Sequence, residues 1–286
     1  MNDIAKQDIR ESMEWYREQI SKEEIKQLFA DNREQILEKN YYYKKALIKQ
    51  NLCLDILIYD KDWLVRQAIA EQGYGLDILV NDKVDDVRQA VAKQGYGLDI
   101  LVNDESPNVR TTVAEQGYGL DTLVNDKSWQ VRRAVAGQGY GLDILVHDED
   151  EYVRRAVAGQ GYGLDILVND EDCDVRAAVA KQNYGLDILI HDENPYVRAA
   201  VARQGYGLNI LINDKSMIVR EEVAEQGYGL GILVNDEHWV ARTTADKQAH
   251  KAKISETFEE KLDRLERETE LESYDTDKNK IPSQER

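Results

Sequence analysis

The chain has 286 residues and carries 55 acidic against 37 basic side chains, a net charge of −18. The surplus is concentrated: residues 50 to 248 hold 34 acidic and 19 basic side chains, a net of −15, whereas residues 1 to 49 are balanced. A surface of that sign argues against ordinary DNA or RNA binding, which needs cations facing phosphate, and favours a protein partner with a basic surface.

Cys53 and Cys173 stand at different places in the pattern described below, so they form neither a disulfide framework nor a zinc spacing. The start, Met1-Asn2-Asp3-Ile4-Ala5-Lys6, has no apolar run for a signal peptide, and no stretch reaches the ~18 apolar residues of a membrane span. A reduced, cytoplasmic setting without membrane attachment is the expectation, with no metal and no cofactor.

Residues 1 to 49 are expected to be a helical N-terminal cap. Ser21 with Glu24 makes a capping box for a helix near 22 to 30, and Asp31 can cap another running through Ile36, Leu37, Tyr41 and Leu47. The cluster Tyr41-Tyr42-Tyr43 then packs on the first repeat.

From residue 50 a unit of 22 residues recurs. Its opening glutamine stands at 50, 72, 94, 116, 138, 160, 182, 204 and 226, and the pattern closes at Gln248. A period of this size specifies a solenoid, because one unit cannot bury its own apolar face and must stack on its neighbours.

Punctuation places a helix in each unit. The position three before the recurrent Val reads Asp62, Val84, Ser106, Ser128, Asp150, Asp172, Asn194, Ser216 and His238, seven of the nine being preferred N-cap residues, and Pro107 and Pro195 follow where proline is tolerated. The helix runs through Val-Arg-x-x-Val-Ala-x and stops at a Gln followed by Gly, or by Asn51 and Asn183, residues that accept the left-handed conformation. The next residue, Tyr74 and its equivalents, falls where a Schellman motif places an apolar contact and should pack back on the helix just ended. Leu76, Leu79 and Val80 then have the spacing of a short α- or 3₁₀-helix. Residues 249 to 272, with Ile254, Phe258, Leu262 and Leu265 in one stripe, read as an amphipathic helix that caps the last repeat or pairs with another chain, and residues 273 to 286 as a tail.

The run Asn103-Asp104-Glu105-Ser106-Pro107-Asn108-Val109-Arg110 resembles the second half of a HEAT repeat, and the short period with its Val-Arg-x-x-Val-Ala core is most similar to the variant leucine-rich repeat. That resemblance implies an all-α, right-handed α-solenoid of alternating long and short helices. It also implies a ladder in which Asp60, Asp82, Asp104 and their equivalents meet Arg66, Arg88, Arg110 and theirs, or backbone groups of a neighbouring unit. The iron–sulfur segment of some variant leucine-rich-repeat proteins is not carried over, since its cysteines are lacking.

Function is sought where the units differ, the shared positions being accounted for by stacking. The differing positions recur at i, i+4 and i+8 on the long helix, which in HEAT-like arrays lines the concave side. Trp129, Arg133, Tyr152 and Arg155, beside Gly137 and Gly159, have the Trp, Tyr and Arg composition of an interface hot spot. Trp63, Tyr196 and Trp239 are further candidate contacts. Asp85, Asp86, Glu115, Glu151, Glu221, Glu222 and Glu225 give an acidic surface.

The expected function is a non-catalytic protein–protein interaction scaffold. The alternative is an acidic decoy that mimics DNA to inhibit a nucleic-acid-binding enzyme, as a phage or mobile-element protein would. Nine stacked units span about 70 to 90 Å, about one net charge per 5 to 6 Å against one per about 1.7 Å in duplex DNA, so mimicry requires the acids to gather on one face. A remote alternative, implied by the resemblance alone, is a HEAT-like DNA glycosylase. His147, His191, His238 and His250 pair with no nucleophile at a readable spacing, and Gly73-Tyr74-Gly75 is helix punctuation, so no enzyme is expected.

Overall fold

The computed structural model describes residues 33–253. The described residues are helical with no strand, and they form an α-solenoid in which one long and one short helix alternate. The capping box at Ser21, the stripe from Ile254 and the tail lie outside the described residues.

Two compact units meet in sequence at Gly163 and Leu164. In the first, a 3₁₀ turn at Arg33–Glu38 and a helix at Tyr41–Lys49 lead into the long helices Trp63–Glu71, Asp85–Lys93, Pro107–Glu115, Trp129–Gly137 and Glu151–Gly159. The short helices between them include Leu76–Leu79, Leu98–Leu101, Leu120–Leu123 and Leu142–Leu145. In the second, the long helices are Cys173–Lys181, Pro195–Arg203 and Met217–Glu225, with Leu164–Leu167 to Leu230–Leu233 as short ones, and residues 239 to 253 are helical.

Long helices of nine residues and short ones of four are below the length at which a helix is stable alone in water, so packing must hold them. Within each unit successive long helices pack side by side, and the short helices lie against the long ones that flank them. Val131 and Val135 of the long helix and Leu145 of the short one, with their equivalents, are essentially inaccessible. Each such side chain contributes roughly 1.5–3 kcal/mol when fully buried.

The helix stops have the expected geometry. Gly73 has a φ of +75°, its N–H donates to the Ala70 carbonyl at 2.9 Å, and the Tyr74 N–H reaches back to the Ile69 carbonyl at 3.3 Å, which is a Schellman motif. The tyrosines that follow these stops are partly covered, the eight of them being between 40% and 43% exposed.

The starts differ more. Asp62, Asp150, Asp172 and Asn194 cap their helices through the side chain, and His238 accepts from the Val240 N–H at 3.4 Å. Ser106, Ser128 and Ser216 do not. The Ser106 hydroxyl instead donates to Asp85 of the preceding repeat at 2.8 Å. Two residues upstream Asp104 Oδ1 accepts the Ser106 N–H at 2.8 Å, a bond that Asp60 and Asp148 also make to the side-chain caps Asp62 and Asp150.

The helix expected through Ile36 to Leu47 is also broken. A 3₁₀ turn ends at Glu38, and Asn40 caps a new helix by accepting the Tyr43 N–H at 3.0 Å.

Within each unit an arginine–aspartate ladder binds successive repeats. In the first unit Arg66, Arg88, Arg110 and Arg132 each clamp the aspartate 16 residues on, Nε to Oδ2 at 2.5–2.6 Å and Nη2 to Oδ1 at 2.8–2.9 Å. The remaining Nη1 donates to the carbonyl of the same repeat's own aspartate, Arg88 to Asp82 at 2.7 Å for example. In the second unit Arg176, Arg198 and Arg220 do the same with Asp192, Asp214 and Asp236.

Hydrogen bonding to the carboxylate raises the pKa of Arg66, Arg88, Arg110, Arg132, Arg176, Arg198 and Arg220. Burial pushes Asp82, Asp126 and Asp214 upward, but the arginine fork, the backbone N–H two residues on and the nearby cations together outweigh it and leave them below the ordinary aspartate value. For Asp236 the Arg220 hydrogen bond leads and the direction is the same.

The ladder begins with a lysine, since Lys44, 3% exposed, meets Asp60 at 2.6 Å. A second ladder comes from the recurrent glutamine: the side-chain amides of Gln94, Gln138 and Gln160 donate to the last-turn carbonyls of Glu71, Glu115 and Gly137 in the preceding repeat, at 2.9–3.2 Å.

Candidate binding surface

The outward face of the long helices carries the variable side chains. In the first unit it opens into a groove of about 560 Å³, lined by Glu115, Arg133, Ala134, Gly137, Ala156 and Gly159 among others. The lining residues occupy the second, fifth, sixth and ninth positions of their helices, not the first, fifth and ninth. A stripe at i, i+3, i+4 and i+7 stays on one side of a helix, whereas a step of eight residues drifts off it.

The groove exists because two consecutive repeats lack a side chain in the last helical turn. The ninth position is Glu71, Lys93 and Glu115 in earlier helices and glycine at 137 and 159. An added Cβ at either glycine would meet no atom within 4 Å, so the space is open. Its effect reaches the sixth position. Ala90 and Thr112 are buried between neighbouring helices, while Ala134 and Ala156 are partly uncovered.

Polar groups ring this opening. Gln89 donates to Thr112 Oγ1 at 3.1 Å, and Gln138 and Gln160 hold the carbonyls at its floor. Arg133 is exposed on the wall and forms no hydrogen bond or ion pair among the described residues.

At the other end of the same helices stands an aromatic shelf. Trp129 opens its helix and Tyr152 is second in the next, which brings their rings into a stack with centroids 5.0 Å apart and planes inclined by 26°. Arg155, one turn after Tyr152, places its guanidinium carbon 5.8 Å from the tyrosine centroid, within cation–π range. Trp129, Tyr152 and Arg155 are therefore one cluster, and Arg133, one turn after Trp129, links it to the groove.

The other candidates are placed apart from this cluster or elsewhere. Trp63 opens a helix of the first unit, and the Asp85 and Pro107 helices lie between it and Trp129. Tyr196 and Trp239 belong to the second unit, both exposed, and Trp239 lies against its own neighbour His238.

The acidic set is partly engaged within the fold. Asp85 accepts from Ser106, Glu222 from Arg203 and Glu225 from Gln248 at 2.7 Å, while Asp86 and Glu115 are exposed and Glu151 and Glu221 half-buried. Among the described residues no group of three or more His, Cys, Asp or Glu is placed to share a metal ion, and no helix is long and apolar enough to cross a membrane.

Two features were not visible in the sequence. The glutamine ladder lies at helix punctuation, and its signal is the glutamine that recurs before each Gly or Asn stop. The groove rests on small residues, whose signal is the loss of a side chain.

Compared with protein-family models and with curated proteins, the chain matches none.

Proposed function

We propose that this protein is a non-catalytic interaction scaffold, cytoplasmic and built from HEAT-like repeats of the variant leucine-rich type, which captures a protein partner on the long-helix face of its first unit. The observation that carries the reading is the pairing of the Gly137–Gly159 groove with the Trp129–Tyr152 stack on the same helices. A groove of this size suits a segment of chain, its amides meeting the glutamines and Arg133, while the aromatic shelf takes an apolar side chain. The surplus of acid from Asp86 to Glu115 along the same unit supports a partner with basic residues flanking that segment.

Affinity capture from the native host, comparing the intact chain with a W129A/R133A variant, tests the reading. Proteins retained by the first and lost by the second, with helical circular dichroism unchanged, support it. A capture profile that is identical for the two chains rejects this face as the binding site.

A further inference from the structure

The short helices carry a feature that stacking does not require. Leu79 and Val80 face inward, and Ile78, one residue before Leu79, faces away from them and is 43% exposed. The pattern recurs at Ile100 and Ile144, 52% and 51% exposed, and in the second unit at Ile166, Ile188, Ile210 and Ile232. The fold does not depend on isoleucine there. Thr122 takes the position in the helix Leu120–Leu123, and Leu123 and Val124 are buried as elsewhere. A row of exposed apolar side chains repeated from unit to unit is the signature of an interaction surface.

What could cover it is constrained by charge and by spacing. The residue before each isoleucine of the first unit is an exposed aspartate, Asp77, Asp99 and Asp143, and Asp121 precedes Thr122. A second copy of the chain would bring like-charged rows together, which is unfavourable. A basic partner would find an anion beside every apolar contact. Stacked helices repeat at about 8–10 Å, and seven residues of an α-helix advance about 10.5 Å. A helix lying along the row therefore meets one repeat per heptad.

We propose that the Ile78, Ile100 and Ile144 row of the first unit, with the aspartate preceding each, is a docking surface for a basic amphipathic helix of a partner protein that carries an apolar residue at every seventh position between lysines or arginines. The surface is on the short helices and is separate from the long-helix face on which Trp129 stands.

The probe is a synthetic alanine-based peptide of four heptads with one leucine per heptad flanked by lysines, titrated into the full chain by fluorescence anisotropy. Saturable binding is expected, weakening as salt rises. It should fall at least about tenfold, or about 1.4 kcal/mol, when all seven exposed isoleucines named above are changed to Thr, the residue already accepted at position 122. The same loss is expected when the leucines are redistributed around the peptide without changing its composition.

The W129A/R133A variant should bind the peptide as the intact chain does, which separates this proposal from the scaffold reading. Equal binding by the threonine variant, equal binding of the redistributed peptide, or no saturation by about 1 mM, the weak end of specific contacts, overturns it. So does sedimentation showing that the isoleucines hold two copies of the chain together.

Discussion

Arg132 grips Asp148 of the following repeat with one edge of its guanidinium, Nε to Oδ2 at 2.6 Å and Nη2 to Oδ1 at 2.8 Å, while its third nitrogen holds the Asp126 carbonyl of its own repeat at 2.8 Å. Both side chains are close to nine-tenths buried or more. Truncating Arg132 to Ala strands a buried carboxylate and should cost about 3–5 kcal/mol in urea unfolding. Arg132→Lys keeps the charge but loses the fork, so it should recover only part of that loss. Unfolding midpoints for the two variants equal to that of the intact chain would show the ladder to be energetically idle.

The depressed carboxyls make stability fall in acid. Asp82, Asp126, Asp214 and Asp236 titrate below the ordinary value of 3.8 when folded, so in the window below about pH 4 the unfolded chain binds protons first. Their contribution is complete above about pH 4 and is lost as pH falls through the folded values. Helical circular dichroism should therefore hold from neutrality to about pH 4 and then decline. The stability gap between the intact chain and Asp236→Asn should narrow over the same interval, and a gap that is constant with pH would contradict the assignment.

Two glycines four residues apart should respond in opposite ways to alanine. Gly137 lies in a helical last turn where a Cβ meets nothing, so Gly137→Ala should raise stability by about 0.5–1 kcal/mol. Gly141 has a φ of +60°, and its Cβ would come 2.5 Å from Val124 Cγ2 of the preceding repeat, so Gly141→Ala should lower the thermal midpoint. Gly137→Lys, which restores a long side chain like Lys93, should leave the fold intact and close the groove. If captured partners are retained by that variant, the groove is not where they sit.

Lys44 anchors the first repeat by burying its ammonium against Asp60. Lys44→Met keeps most of the volume and leaves the carboxylate unpaired, so amide hydrogen exchange should accelerate first in residues 41 to 60. Uniform acceleration along the whole first unit would show instead that the repeats open together.

Much of the fold is legible in the 22-residue unit because each of its signals is local. Gly73 after Gln72 stops a helix whatever surrounds it, and Val87 with Val91 marks the buried side. What is not legible depends on relations between neighbouring elements. Ser106 reads as a cap, but the neighbouring Asp104 and Asp85 take over its backbone and side chain. Tyr41 to Leu47 reads as a continuation of an earlier helix, but Asn40 interrupts it.

At the candidate site Trp129 and Tyr152 are apparent as large residues in a variable position, and the structure adds that they touch. The groove beside them is made by Gly137 and Gly159, and glycine at the end of a helix looks the same in sequence whether it opens a groove or ends a turn. Ile78 and its equivalents recur as regularly as the buried Leu79, and only their exposure separates them from the packing positions.

The ladder also has a direction. Within each unit the arginine's carboxylate partner lies in the following repeat, so a repeat presents an acceptor to the one before it and a donor to the one after it, and these joints share one geometry. Lys44 supplies the first donor, and the sequence places Phe258 where Arg242 would look for its aspartate. Excising one whole period inside a unit would rejoin an arginine donor to an aspartate acceptor of the same geometry. Length is thereby quantised and freely adjustable, so descendants of such a chain can track partners of different reach by duplication or loss of single periods while every internal joint is reused unchanged.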